Sequence, residues 1–290
     1  MKGIAKMYKI VARKELNPTV TMLDIEAPLV AAKAEPGQFI ILRVDEDGER
    51  IPLTIAHYDR EAGTVRIIFQ IVGATTEKLN HKMVGDYIHD FVGPLGVATH
   101  LEGLKNVCIV GGGVGCAIAL PIAEKLHKMG CKVTSVIGFR TKDLLILEDE
   151  FRACSDKLYV MTDDGSYGTP GNVCVPLNEM FAAGQTFDEV ITIGPLVMMK
   201  FVVLATKPTG IPCVASMNPI MIDGTGMCGG CRLTLNQDGK KVTKFACVDG
   251  PDFNAYEIDF DEAMSRGNMY FGFERHAHEE ACNLFKKEVK

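Results

Sequence analysis

Near the C-terminal end three cysteines stand among glycines, in Asp223-Gly-Thr-Gly-Met-Cys228-Gly-Gly-Cys231 and then Cys247. Thiolates are the ligands that the soft iron ions of an iron–sulfur cluster take. With Asp223 ahead of them, the pattern Asp-x4-Cys-x2-Cys-x15-Cys offers four anionic ligands: Asp223, Cys228, Cys231 and Cys247. Gly224, Gly226, Gly229 and Gly230 let the backbone wrap tightly and turn N–H groups toward sulfur. A structural zinc site is the rival reading. Zinc usually takes two close cysteine pairs or histidine partners, and here the second half is a lone Cys247. The other seven of the ten cysteines sit singly and read as small hydrophobes.

A second constellation is Val107-Cys-Ile-Val-Gly111-Gly112-Gly113-Val114-Gly115, an apolar strand running into a glycine turn and then a helical pattern. Glycines there let a pyrophosphate approach the backbone, and the helix start offers free N–H groups and a positive dipole end. Cys116 holds the place of the last glycine in Gly-x-Gly-x-x-Gly, so a plain tight turn is the alternative. Arg140 and Lys142 follow the second strand of this region, where a ribose phosphate would lean toward NADP(H). Two later loops sit past strand ends, where open α/β sheets bind ligands. They are Thr162-Asp163-Asp164-Gly165-Ser-Tyr-Gly168 and Gly194-Pro195-Leu-Val-Met198-Met199.

The third constellation is Arg50-Ile-Pro52-Leu53-Thr54. In a strand positions 50, 52 and 54 share one face, so a guanidinium for a phosphate and a hydroxyl for a ring edge would line up if a flavin lies there. Phe69-Gln-Ile71-Val-Gly73-Ala-Thr75-Thr76 supplies a second contact strand and a Gly/Thr turn. No acid–base pair stands out; His57 and His100 are isolated and read as structural.

These residues need three frames. Residues 1 to about 100 alternate short Val/Ile/Thr-rich runs with turn signals, the pattern of a small antiparallel barrel, which Gly93-Pro-Leu-Gly96 is expected to end. From about 101 to 211 strands and helices alternate, which implies a parallel sheet covered on both faces. Residues 212–265 read as loops and a hairpin turning at Asp238-Gly239, and 266–290 as a polar, helical tail. A chain of 290 residues is long for one core, in keeping with several modules. With 47% apolar and 23% charged residues the composition is that of a soluble protein. A net charge of −6 argues against nucleic acid or an anionic membrane as the main partner. No run of about 18 apolar residues predicts a membrane span, and the charged N-terminus lacks a secretory core, which points to the cytoplasm.

The three motifs, in this order, resemble one family. It is the ferredoxin-reductase-like electron-transfer subunits, which include the dihydroorotate dehydrogenase electron-transfer subunit and the small subunit of NADH-dependent reduced ferredoxin:NADP oxidoreductase. The most specific stretches are Ser216-Met-Asn-Pro-Ile-Met-Ile-Asp-Gly-Thr-Gly-Met-Cys-Gly-Gly-Cys231 and Phe245-Ala-Cys-Val-Asp-Gly-Pro251. The resemblance implies FAD on the barrel, NAD(H) on the α/β domain and a 2Fe–2S cluster at the C-terminal end. It implies that Thr54 polarises the flavin edge during hydride transfer. It also implies a larger flavin and iron–sulfur partner subunit, with ferredoxin reached through the complex and electron bifurcation within its scope. Leu53 stands where ferredoxin reductases carry an aromatic residue. Asp223 stands where dihydroorotate dehydrogenase subunits carry a fourth cysteine, and the ferredoxin:NADP oxidoreductase subunit is similar to this chain in having aspartate.

Overall fold

The computed structural model describes residues 7–269, with 272, 275 and 276. The expected helical tail therefore lies, beyond residue 269, largely outside the described residues.

The first frame is built from β1 (Tyr8–Asn17), β2 (Val20–Glu26), the short α1 (Pro28–Ala31), β3 (Phe39–Arg43), β4 (Arg50–Asp59), β5 (Thr64–Gln70), α2 (Ala74–Asn80), β6 (Tyr87–Ile88) and β7 (Asp90–Leu95). Its strands pair antiparallel in the order β6-β1-β2-β5-β4-β3-β7. The two end strands are joined only by His89, so the sheet curls into a nearly closed barrel. Period-two alternation decides what fills it: Leu23, Ile25, Ile40, Leu42, Ile67, Phe69 and Phe91 are buried inside. Truncating a buried phenylalanine of this kind to alanine costs about 3–5 kcal/mol. The stretch Gly93-Pro94-Leu95 does not break the barrel. It continues β7 along β3, and because β7 ends the sheet, Pro94 faces no missing ladder donor.

The second frame runs β8 (Asn106–Gly112), α3 (Cys116–Lys128), β9 (Lys132–Phe139), α4 (Glu148–Cys154), β10 (Lys157–Thr162), β11 (Thr169–Pro170), α5 (Cys174–Ala182), β12 (Glu189–Ile193), α6 (Leu196–Thr206) and β13 (Cys213–Ser216). Val107 to Gly112 of β8 are buried, as a strand covered on both faces must be. Helix α3 ends with Lys125 and Lys128 in its last turn, cations placed against the negative end of its dipole. The last stretch holds β14 (Arg232–Gln237), β15 (Lys240–Phe245), α7 (Ala246–Asp249), β16 (Asp252–Asn254) and α8 (Phe260–Gly267).

The sheet order is β11-β10-β9-β8-β12-β13-β16, parallel except that β16 runs antiparallel to β13. The sheet thus extends past residue 212 and takes an edge strand from beyond the cysteine loop. Strands of three and four residues carry too little periodicity to be seen in the sequence. The hairpin β14–β15 turns at Asp238 and Gly239, both with positive φ, +50° and +76°. That is the geometry for which Asp-Gly is favoured.

Candidate functional site

A cavity of about 620 Å³ lies where the barrel meets the C-terminal ends of the parallel strands. The barrel contributes Pro52 and Thr54. Their neighbours Ile51 and Leu53 point the other way, into the barrel core. Leu53 is therefore not on the cavity face, contrary to its expected contact role. The glycine turn after β8 contributes Gly112, Gly113, Val114 and Gly115. Arg140 at the end of β9 and Asp163 after β10 form one wall, both exposed. Gly194, Pro195 and Met198 form the facing wall at the start of α6.

Close approach explains the glycines. A Cβ on Gly112 would come within 2.2 Å of the Met198 sulfur, and one on Gly115 within 2.6 Å of the Ile193 carbonyl oxygen. The turn thus holds α3 tight against β12 while its open side faces the cavity. This cradle suits a pyrophosphate at a helix start.

Several expected contacts lie elsewhere. Phe69 is 1% exposed and belongs to the barrel core; by strand parity it is Gln70 that reaches the cavity. Ile71 also packs on the barrel core. The Gly73–Thr76 turn is the start of α2. There the Thr76 hydroxyl accepts from the Val72 and Gly73 N–H groups, both at 3.0 Å, and donates to the Gly73 carbonyl at 2.9 Å. Thr75 donates to Glu49 at 2.8 Å. Gly111 is buried within β8 beside Cys116. Asp164 accepts from the Ser166 N–H and hydroxyl, at 3.0 and 2.6 Å, and those bonds hold its carboxyl below the usual range. Gly165 shapes the same turn with a φ of +70°.

The sequence reading missed Phe39, which stands opposite Thr54 in the β3–β4 register and lines the cavity. It missed the stretch Ser216–Asn218, which lies just past β13. Register between distant strands would have revealed both, and a single sequence does not display it.

The cysteine loop packs directly on the barrel. Gly224 has φ of +81°, and a Cβ there would lie 2.8 Å from both Ile41 and Leu95, on β3 and β7. Only glycine allows that turn and that approach. Cys231 precedes β14 and Cys247 follows β15, and the hairpin brings their sulfurs to 3.1 Å. Both are buried, whereas Cys228 is exposed, with the Gly230 N–H 3.5 Å from its sulfur. Burial, and then the neighbouring Cys231, push the Cys247 thiol up to about 11.

Asp223 accepts from the Thr225 N–H at 3.0 Å, the Thr225 hydroxyl at 2.5 Å and the Met227 N–H at 3.3 Å. The Thr225 bonds, with the charge of Arg50 adding to them, hold its carboxyl below the usual range. Arg50 itself is exposed, at the end of β4 toward this loop. Of the four expected metal ligands, the structure brings together Cys231 and Cys247. Among the described residues no group of three or more His, Cys, Asp or Glu side chains converges on one point. The donors themselves suit iron–sulfur chemistry: soft thiols, and an N–H aimed at sulfur.

The iron–sulfur cluster binding domain of dihydroorotate dehydrogenase B matches residues 218–259. The dihydroorotate dehydrogenase B electron-transfer subunit homolog of Thermotoga maritima is 44% identical over 277 residues, covering 96% of each chain. The dihydroorotate dehydrogenase B electron-transfer subunit of Streptococcus pneumoniae is 36% identical over 250 residues, covering 84% of this chain and 94% of that one. A solved structure of NADH-dependent reduced ferredoxin-NADP oxidoreductase, studied for flavin-based electron bifurcation, matches with a TM-score of 0.88 and 44% identity. It covers 97% of this chain and 99% of that chain. The fold is ferredoxin-reductase-like, and the chain belongs to the family of dihydroorotate dehydrogenase B electron-transfer subunits and their homologues.

Proposed function

We propose that this chain is the electron-transfer subunit of an NAD(P)H-dependent ferredoxin:NADP oxidoreductase complex. It connects NAD(H), FAD and a 2Fe–2S cluster with a larger flavin and iron–sulfur partner subunit, in a complex of the electron-bifurcating type. One observation carries the reading. A single cavity is walled by the barrel on one side and the glycine turn on the other, and the cysteine loop is seated on the same barrel strands, β3 and β7. A nucleotide on the glycine turn, a flavin on the barrel and a cluster in the cysteine loop would thus be neighbours.

When bound, a flavin accepts two electrons as a hydride from a nicotinamide, and an iron–sulfur centre carries electrons one at a time. The chain's own residues position these groups. Gly112 to Gly115 offer backbone N–H groups to a pyrophosphate. Arg50 supplies a cation for the flavin phosphates, and Thr54 a hydroxyl at the ring edge. Arg140 and Asp163 meet the nucleotide sugar. Met198, packed on Gly112, closes the cavity against water. Cys228, Cys231 and Cys247, with Asp223 as the fourth donor, would hold the iron.

Beside the loop, Met227 is 88% exposed, with Ile220, Ile222 and Val248 also exposed. An apolar rim around an electron exit suits a partner subunit docked there. Ferredoxin is then reached through the complex. Among the described residues no helix is long and apolar enough to cross a membrane. The nine cysteines among the described residues are free thiols, which supports a reducing, cytoplasmic setting.

The test is an absorption spectrum of the purified chain with iron, labile sulfide and flavin analysis, followed by capture of the co-purifying subunit. Flavin with iron and sulfide is expected. A colourless zinc protein overturns the reading, and a dihydroorotate dehydrogenase catalytic subunit as the partner shifts it to that enzyme.

A further inference from the structure

The seam between the barrel and the sheet holds a buried acid that no part of the reading above uses. Asp252 lies on β16, directly opposite Ser216 on β13. Side chains so placed share a face and touch. The Thr99 hydroxyl, on the link between barrel and sheet, donates to Asp252 Oδ2 at 2.5 Å. Ser216 pairs with it across the strands, and its hydroxyl is close enough to oppose the upward push of burial on the same carboxyl. The other oxygen, Oδ1, is buried and has no hydrogen-bond partner among the described residues. The residue as a whole is half-buried, so its exposed part lies elsewhere than this oxygen.

The seam around it is firmly set. The Val97 N–H donates to the Gly250 carbonyl at 2.7 Å, and the Thr99 N–H to the Pro36 carbonyl at 3.0 Å. Ser216 and Pro251, next to Asp252, both line the cavity.

A buried carboxyl with an unpaired oxygen is costly for folding alone. Its position against a redox cavity gives it a use. Hydride transfer from a nicotinamide brings two electrons and one proton into the cavity. When both electrons leave singly for a one-electron carrier, one proton per pair stays behind and must find a base. We propose that Asp252, reached through the Ser216 hydroxyl, is the base that takes up this proton.

The step balances. Ser216 Oγ receives the proton from the cavity as its own O–H bond breaks and a new O–H bond forms on the Asp252 carboxylate. Ser216 ends unchanged, Asp252 ends neutral, and no electron moves. Burial pushes the Asp252 carboxyl up, so it holds a proton more readily than an exposed aspartate. One further carboxyl, that of Glu189, feels its charge. Glu189, at the start of β12, is raised first by burial and then by the Asp252 charge, and the exposed His100 beside Thr99 opposes that rise. Glu189 stands at the opposite end of β12 from the cavity-lining Ile193 and Gly194. Asp252 acts through Ser216 and is thus a positioning and proton-holding residue rather than a catalytic one.

The inference rests on the flavin reading of the cavity, and the experiment separates the two. Redox-difference infrared spectra of the full-length, flavin-loaded chain are recorded over a range of pH, with the carbonyl stretch of a protonated carboxylic acid as the signal. The unmodified chain is expected to gain that signal on reoxidation. Asp252→Asn should lose it, Asp252→Glu should restore it at a shifted frequency, and Glu189→Gln should leave it in place. Ser216→Ala should keep the signal but delay its appearance by about tenfold or more.

A signal that survives Asp252→Asn, or that Ser216→Ala does not delay, overturns the proposal. Should Asp252→Asn fail to fold, Asp252→Glu and Ser216→Ala decide, and an unmoved signal in both overturns it. A chain that binds no flavin overturns the functional reading, whereas a flavin-loaded chain without the signal overturns only this one.

Discussion

The sulfurs of Cys231 and Cys247 face each other at 3.1 Å, although fifteen residues lie between them in sequence. The β14–β15 hairpin makes that pairing, so the site is set by strand register and not by local spacing. Cys231→Ser or Cys247→Ser should abolish the visible cluster absorption and reduce bound iron to near zero. The flavin, held by a separate frame, should remain. Parallel iron, sulfide and flavin assays on both variants check this.

Asp223 differs from its neighbours in being satisfied by its own loop. If it also ligates iron, Asp223→Cys should leave a cluster in place with an altered absorption spectrum and midpoint potential. An unchanged spectrum and potential would remove Asp223 from the ligand set.

Arg140 lines the cavity just past β9, exposed, where the proposed reading puts the nucleotide sugar. A charge-assisted hydrogen bond to a phosphate is worth about 1.5–3 kcal/mol, or roughly ten- to a hundredfold in affinity. Arg140→Ala should therefore raise KM for NADPH by about that factor and leave KM for NADH nearly unchanged. Steady-state reduction of a dye by each nucleotide reads the split. Equal losses for both would mean that Arg140 stacks on the adenine instead.

Much of this was readable beforehand, and the misses share a cause. The barrel strands, the glycine turn and the hairpin turn at Asp238-Gly239 are local patterns. Alternation puts Arg50, Pro52 and Thr54 on one face; Pro52 and Thr54 line the cavity, whereas Arg50, at the start of β4, does not. Phe69 differs because the sequence marks a contact strand without showing which parity faces the cavity; it is Gln70 that does. Phe39, Ser216 and strand β16 became visible only through pairing with residues far away in the chain: Thr54, Asp252 and β13. Pro94 looked like a terminator because its place on an edge strand depends on the whole sheet order.

Gly115 carries the tightest backbone contact of the nucleotide turn, with the Ile193 carbonyl oxygen 2.6 Å from a would-be Cβ. Neither side can swing away. Gly115→Ala should cost about 1–3 kcal/mol. A thermal melt should fall by about 2–4 °C per kcal/mol, with nucleotide affinity reduced alongside.

Asp188 accepts the Lys105 N–H at 2.7 Å and the Asn106 N–H at 2.9 Å, which ties the entry of β8 to that of β12. Those bonds hold its carboxyl below the ordinary 3.8. A group lowered on folding stabilises above its unfolded value, and that contribution is lost as the pH falls through the folded one. Asp188→Asn should therefore melt earlier than the unmodified chain at neutral pH. The gap should close as the pH drops through and below 3.8, where both carry a neutral side chain. Melting curves taken across that range test the sign.

Strands β13 and β16 bracket the cysteine loop and are themselves part of the nucleotide sheet. The cysteine loop and the parallel sheet thus share one mechanical frame, and iron held by that loop would be coupled to the cleft beside it. Linked equilibria are reciprocal. If iron tightens nucleotide binding by ordering residues 213–254, then nucleotide must retain iron by the same factor. A cell short of iron would hold this chain in a state that is weaker toward its electron donor as well as unable to pass electrons on.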